Sequence, residues 1–88
     1  KIESVYTLDN GDYEVIEAKI LESSELLNLS IAKAKIPEGI KIGLIERGKE
    51  VIVPHKETIF NVNDRVILLS SRENLSKVEE LFKISPYF

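Results

Sequence analysis

Few residues in this chain are equipped to do chemistry. His55 is the only histidine, and it follows Pro54 at the end of an apolar run. A metal centre needs several ligands converging on one point, and there is no second histidine and no cysteine to join it. His55 is therefore expected to pack on a surface or loop, and contact with a ligand is its functional reading. Arg47 stands beside Gly48. It reads either as a solvated turn arginine or as a clamp on an anion or phosphate, whose oxygens a guanidinium fork matches bidentately. Glu14, Glu17 and Glu22 could suggest paired acid–base carboxylates, but they share their segment with Lys19, as a solvated face would. Ser23-Ser24 and Ser70-Ser71 have no histidine at a motif-like spacing. An unactivated serine is unreactive, so both pairs read as caps. Gly39, Gly43 and Gly48 lie in strand context and form no G-x-G-x-x-G loop. No catalytic residue and no metal ligand set is expected, and the chain does not read as an enzyme.

The composition bounds what such residues can serve. Eighty-eight residues make one domain, with a core of small margin. A content of 43% hydrophobic and 31% charged residues is that of a globular chain rather than a disordered one. A net charge of −3 provides no basic field for a phosphate backbone, so nucleic acid is not an expected partner. Without cysteine there are no disulfides or thiolate sites. No apolar run approaches the ~18–20 residues that cross a bilayer, and no signal-peptide pattern is visible. The chain begins at Lys1 rather than Met, which suggests a piece of a longer protein.

The elements that must position these residues are organised around Ile36–Leu69. Apolar runs at Ile40–Ile45, Val51–Val53 and Val66–Leu69 are rich in β-branched residues and bounded by turn formers, which predicts three strands. Upstream, Ser4–Leu8 and Tyr13–Glu22 flank Asn10-Gly11, a hairpin signal. Ser23-Ser24-Glu25 opens a helix expected over Glu25–Ala34, with Leu27, Ile31 and Ala34 on one face and Pro37 as its stop. Ser70 and Glu73 form a capping-box pattern before a second amphipathic helix, Arg72–Lys83, carrying Leu75, Val78, Leu81 and Phe82. The terminal Tyr87-Phe88 suggests a docked tail. Simple alternation puts Ile40, Ile42 and Leu44 on one face of their strand and Lys41, Gly43, Ile45 and Arg47 on the other, although Gly43 also signals a bulge or close approach. Arg65–Leu69 is apolar on both faces, which calls for helices on one side and more chain or another subunit on the other. The fold expected is α+β: a small mixed or antiparallel sheet of four to five strands, with two helices on one face.

In order, these residues resemble a known family. An amphipathic helix leads to Ile36-Pro37-Glu38-Gly39, then Ile42-Gly43-x-Ile45-x-Arg47-Gly48, Glu50-Val51-Ile52-Val53-Pro54, Thr58, Asn63-Asp64-Arg65-Val66, and a helix bearing Val78-Glu79-x-Leu81-Phe82. The string is similar to the TrkA-C domain, the C-terminal subdomain of regulators of potassium conductance, from about Glu14 to Phe82. Asn28 and Asn63 stand where the family usually has glycine, and asparagine is the next most tolerant residue at positive φ. Leu29 replaces a lysine that often follows the first of these glycines.

The resemblance implies a single regulatory domain over 1–88: a lead-in strand and turn at 1–13, a core at 14–84 and a tail at 85–88. It further implies a cytoplasmic protein peripheral to the inner membrane, and the two apolar faces of Arg65–Leu69, in a chain too short to cover both, predict a homodimer. Its partner would be a potassium-channel or transporter membrane subunit, engaged through the parent protein. Family members bind varied small molecules between two subunits, cyclic di-AMP among them, so a small anionic or nucleotide ligand is expected near Ile42, Leu44, Ile45, Arg47, Pro54 and His55. No cofactor is expected on this chain itself; NAD or NADH would sit on Rossmann domains elsewhere in the parent. The alternative is a purely structural dimerisation module with no small-molecule ligand.

Overall fold

The computed structural model describes residues 2–83. Five strands form one antiparallel sheet: β1 (Ile2–Leu8), β2 (Tyr13–Lys19), β3 (Ile40–Arg47), β4 (Glu50–Ile52) and β5 (Arg65–Ser71), in the order β1-β2-β5-β3-β4. The strand with two apolar faces, β5, lies at the centre. Two helices complete the domain, α1 (Ile31–Ala34) and α2 (Leu75–Phe82). Both contribute to one core with the sheet. Ile16, Ala18, Ile45, Val66 and Leu68 face Val78 and Phe82 there, and Ile31 and Ala34 pack at its margin. The α+β expectation with both helices on one face is met.

Several local expectations were overturned by tertiary structure. The first helix shrinks from Glu25–Ala34 to Ile31–Ala34, because Asn28 adopts φ 67 and breaks the run into a turn and a short helix. Ser30, rather than the Ser23-Ser24 pair, is its N-cap, with its hydroxyl accepting from the Lys33 N–H at 3.2 Å. Ser24 caps the preceding turn instead. Its Oγ accepts from the Leu26 N–H and donates to the Leu81 carbonyl, which also accepts from the Glu25 N–H. One of the carbonyls left open at the C-terminal end of α2 is thereby satisfied from across the molecule.

The capping box at Ser70 and Glu73 does not form. Central strand β5 runs on through Ser71, so Ser70 is fully buried and its hydroxyl donates to the Ser71 carbonyl. A 3-10 turn at Arg72–Asn74 then leads into α2. The Asn10-Gly11 signal does mark the β1–β2 hairpin, but the connection spans four residues, with Leu8 paired to Tyr13. Asn10 and Gly11 take φ 57 and 93. The expectation of a docked tail at Tyr87-Phe88 lies outside the described residues.

Alternation fails in β3. Ile42 pairs with Leu68 and Leu44 with Ile67, leaving Gly43 as the extra residue of a bulge. A Cβ at Gly43 would stand 3.3 Å from the Ile67 carbonyl oxygen. The bulge resets the side-chain period, so Ile40, Ile42 and Ile45 share the core side while Lys41 and Leu44 point outward.

Candidate functional site

The six residues predicted to line a ligand site are distributed over the β3–β4 hairpin and do not converge on one surface. Ile45 is completely buried in the core and reaches no surface. Ile42 is half-buried against the same core. The bulge turns Leu44 to the opposite face, where it is 37% exposed. Pro54 is half-buried and His55 exposed, just beyond β4. The His55 backbone N–H donates to Thr58 Oγ1, and the Glu57 N–H donates to His55 Nδ1. With Nδ1 accepting, Nε2 is the ring nitrogen left without a protein partner among the described residues.

Arg47 has the most developed environment of the six. Its Nε and Nη2 donate to Asp64 Oδ1 and Oδ2, each at 2.9 Å, in a bidentate fork. Nη2 also donates to the Ile59 carbonyl at 2.8 Å. Asp64 is fully buried, and its Oδ2 accepts a further bond from the Asn61 N–H. The hydrogen bond to Asp64 raises the Arg47 pKa above the ordinary arginine value; partial burial opposes this, and the charges of Asp64 and Glu50 reinforce it. The turn that supplies Asp64 is set by Asn63 at φ 70, and the Asn63 N–H and Asp64 carbonyl pair with the backbone of Ile20. Arg47 thus joins the end of β3 to the loop entering β5. Its remaining nitrogen, Nη1, is the one that could meet an anion, beside a carboxylate that already balances its charge.

Two surface depressions lie elsewhere. Two open clefts share Tyr13. One, of about 480 Å³, runs between Tyr13, Leu69 and the Ile36–Lys41 segment. The other, of about 490 Å³, is lined by Asp12, Tyr13, Ser71, Arg72 and Glu73. Neither includes any of the six predicted residues. In the sequence Leu69 reads as part of the strand apolar on both faces and Tyr13 as an ordinary strand residue; the signal for Tyr13 is an aromatic directly after the hairpin turn. Among the described residues there is no metal-binding cluster of His, Cys, Asp and Glu, and no helix is long and apolar enough to cross a membrane.

Comparison with known proteins places these features in a family. The family model described as the TrkA-C domain matches residues 15–83. A TrkA homolog 1 of the Trk potassium uptake system from Methanosarcina mazei is 35% identical over 82 residues, covering 93% of this chain and 18% of that protein. The Trk system potassium uptake protein TrkA of Azorhizobium caulinodans is 33% identical over 88 residues, covering 100% and 19%. Its Vibrio alginolyticus counterpart is 36% identical over 91 aligned residues, covering 99% and 20%. The chain therefore spans about a fifth of the length of the curated relatives it matches. With the family model covering most of its length and the antiparallel α+β fold in place, the chain belongs to the TrkA-C domain family.

Proposed function

We propose that this chain is the regulatory, ligand-sensing and dimerisation domain of a cytoplasmic Trk-type potassium-uptake subunit. That subunit would lie peripheral to the inner membrane and gate a membrane-embedded partner. The observation that carries this reading is the TrkA-C match over 15–83, with relatives named for potassium uptake aligned along nearly the whole chain. The domain acts without catalysis: a ligand that binds one arrangement of a homodimer more tightly than another shifts the pair, and the partner responds to that shift. The ligand is a small anion or nucleotide held near the outer end of the β3–β4 hairpin. Pro54 and His55 reach it, Arg47 offers Nη1, and Ile42 and Ile45 support the strand from beneath, while Leu44 lies on the opposite face. NAD or NADH belongs to other domains of the longer protein.

Thermal-shift screening of the domain against nucleotides, cyclic di-AMP included, tests the sensing role, since a ligand of the native state raises the melting temperature by mass action. A hit weakened by His55→Ala supports the site. The gating role is tested in cells by deleting this domain from the full-length protein and measuring potassium uptake; unchanged uptake and regulation would refute it. One observation favours a second reading, a structural dimerisation module with no ligand. The Arg47 fork is already occupied by Asp64. A screen with no stabilising compound, from a domain that still dimerises, would select that reading.

A further inference from the structure

An asparagine amide is open to attack by the backbone nitrogen of the residue that follows it, which closes a five-membered imide. A side chain on that next residue shields its nitrogen and restricts its backbone; glycine does neither. Of the asparagines in this chain, Asn28 precedes Leu29, Asn61 precedes Val62, Asn63 precedes Asp64 and Asn74 precedes Leu75, and Asn10 alone precedes glycine. Asn74 is held besides by its own amide, because Nδ2 donates to the Glu38 carbonyl at 2.7 Å. Asn10 is exposed, in the connection between β1 and β2. The ring closes only when Cβ and the Gly11 nitrogen eclipse about the Cα–C bond of Asn10. Its φ of 57 and ψ of 26 do not allow that, so the tip must open first. Opening is cheap here: β1 is an edge strand, paired on one side, and its register shifts between Ser4 and Tyr6.

We propose that Asn10 is a spontaneous modification site of the native domain, and that its conversion, mainly to isoaspartate, loosens β1. The Gly11 nitrogen attacks Asn10 Cγ. The N–Cγ bond forms, the Cγ–Nδ2 bond breaks, and ammonia leaves with the proton that the Gly11 amide gives up. Water then opens the imide. Opening at the side-chain carbonyl gives aspartate; opening at the main-chain carbonyl gives isoaspartate, with the chain now running through Cβ and Cγ. Arg72 stands beside this reaction. A Cβ on Gly11 would lie 3.9 Å from its Cζ, Nη1 and Nη2. The guanidinium thus sets positive charge next to the residue whose nitrogen sheds a proton and near the oxyanion that forms on attack. The Asp12 carboxylate, in the same cleft, opposes this in part. Either product adds one carboxylate to a chain already at −3. Isoaspartate also adds a backbone carbon to a connection that pairs Leu8 with Tyr13 and whose Asp12 carbonyl accepts from the Arg72 N–H at 2.8 Å. Both contacts must shift to accommodate it, and edge strand β1 has the least else to hold it. The proposal stands apart from the potassium-uptake reading.

The test incubates the folded 88-residue chain for several days in warm, mildly alkaline buffer. Peptide mass spectrometry locates the conversion, and labelling by an isoaspartyl methyltransferase tells isoaspartate from aspartate. We expect conversion at Asn10, mostly to isoaspartate, while Asn28, Asn61, Asn63 and Asn74 remain amides. Arg72→Gln removes the neighbouring cation. A unit charge about 6 Å from a developing anion in water changes a rate about threefold. Arg72→Gln should therefore convert about threefold more slowly, and Arg72→Lys near the wild-type rate. In the converted fraction, amide hydrogen exchange should be faster in β1 and unchanged in β5. If Asn10 stays intact while the urea-unfolded chain converts in the same buffer, the site is overturned; conversion at another asparagine first overturns it too. Arg72→Gln at the wild-type rate overturns the assistance by Arg72, and unchanged exchange in β1 overturns the loosening. The ligand and gating readings are decided separately, by thermal shift and uptake.

Discussion

At the scale of single residues, Arg47 is first of all a structural residue. Removing one partner of a buried ion pair is costly because the other is left without compensation. Asp64 is fully buried, while the Arg47 side chain keeps a third of its surface in water, which discounts the loss. Arg47→Ala should therefore destabilise the domain by about 2–3 kcal/mol, read from urea unfolding. The double variant Arg47→Ala with Asp64→Ala should cost less than the two single changes added together, since they share one interaction. Arg47→Ala consequently cannot test ligand binding unless folding is measured alongside. The pH dependence follows from the raised arginine pKa. A base with a folded-state pKa above its unfolded value contributes stability that is complete below the unfolded value and is lost as pH rises through the folded one. For Arg47 that window lies in strong alkali. The pair should thus hold constant from neutrality to about pH 10, and an Arg47-dependent loss of stability below that pH would contradict the assignment.

Some of this was legible in sequence and some was not. Asn28 and Asn63 stand where the family resemblance puts glycine, at positions that asparagine tolerates at positive φ, and they adopt φ 67 and 70. The partner of Arg47 was not legible, because Asp64 lies 17 residues away and reads as an ordinary turn residue. Only the antiparallel order that sets β3 beside β5 brings the two together.

At the scale of elements, strand positions were readable from apolar runs and turn residues, whereas the inward face of β3 was not. Gly43 gave a signal, but alternation alone put Ile45 on the wrong side. The bulge became definite only once the register against β5 was fixed. The helices show a related effect. Local capping signals predicted their starts, and tertiary contacts reassigned those signals to other work. Ser24 serves the end of α2, and Asn74 ties the α1–β3 connection through Nδ2 to the Glu38 carbonyl at 2.7 Å. Gly39 in that connection has φ +95, and a Cβ there would stand 2.4 Å from Asn74 Nδ2. Gly39→Ala should therefore cost about 2 kcal/mol or more, from strain at positive φ together with the displaced hydrogen bond. Ser24→Ala should cost about 1–2 kcal/mol, because it removes a turn cap and leaves the Leu26 N–H short of an acceptor. Chemical denaturation of both variants checks these values. A Gly39→Ala protein as stable as wild type would show that the loop relaxes freely.

At the scale of the whole molecule, a domain this size has only about 4–13 kcal/mol of stability to lose, so coupling between folding, pairing and ligand binding should be visible. Suppose the ligand contacts residues of two copies of the proposed homodimer. It then binds the dimer and not the monomer, and each event must strengthen the other by the same factor. Measured dimer dissociation constants should fall when a compound found by thermal shift is added. The melting temperature should also rise with protein concentration, because a homodimer gains stability by association. A compound that binds monomer and dimer equally would lie within one protomer. Such a compound could not bias the pair however tightly it bound, since equal affinity for two states shifts neither.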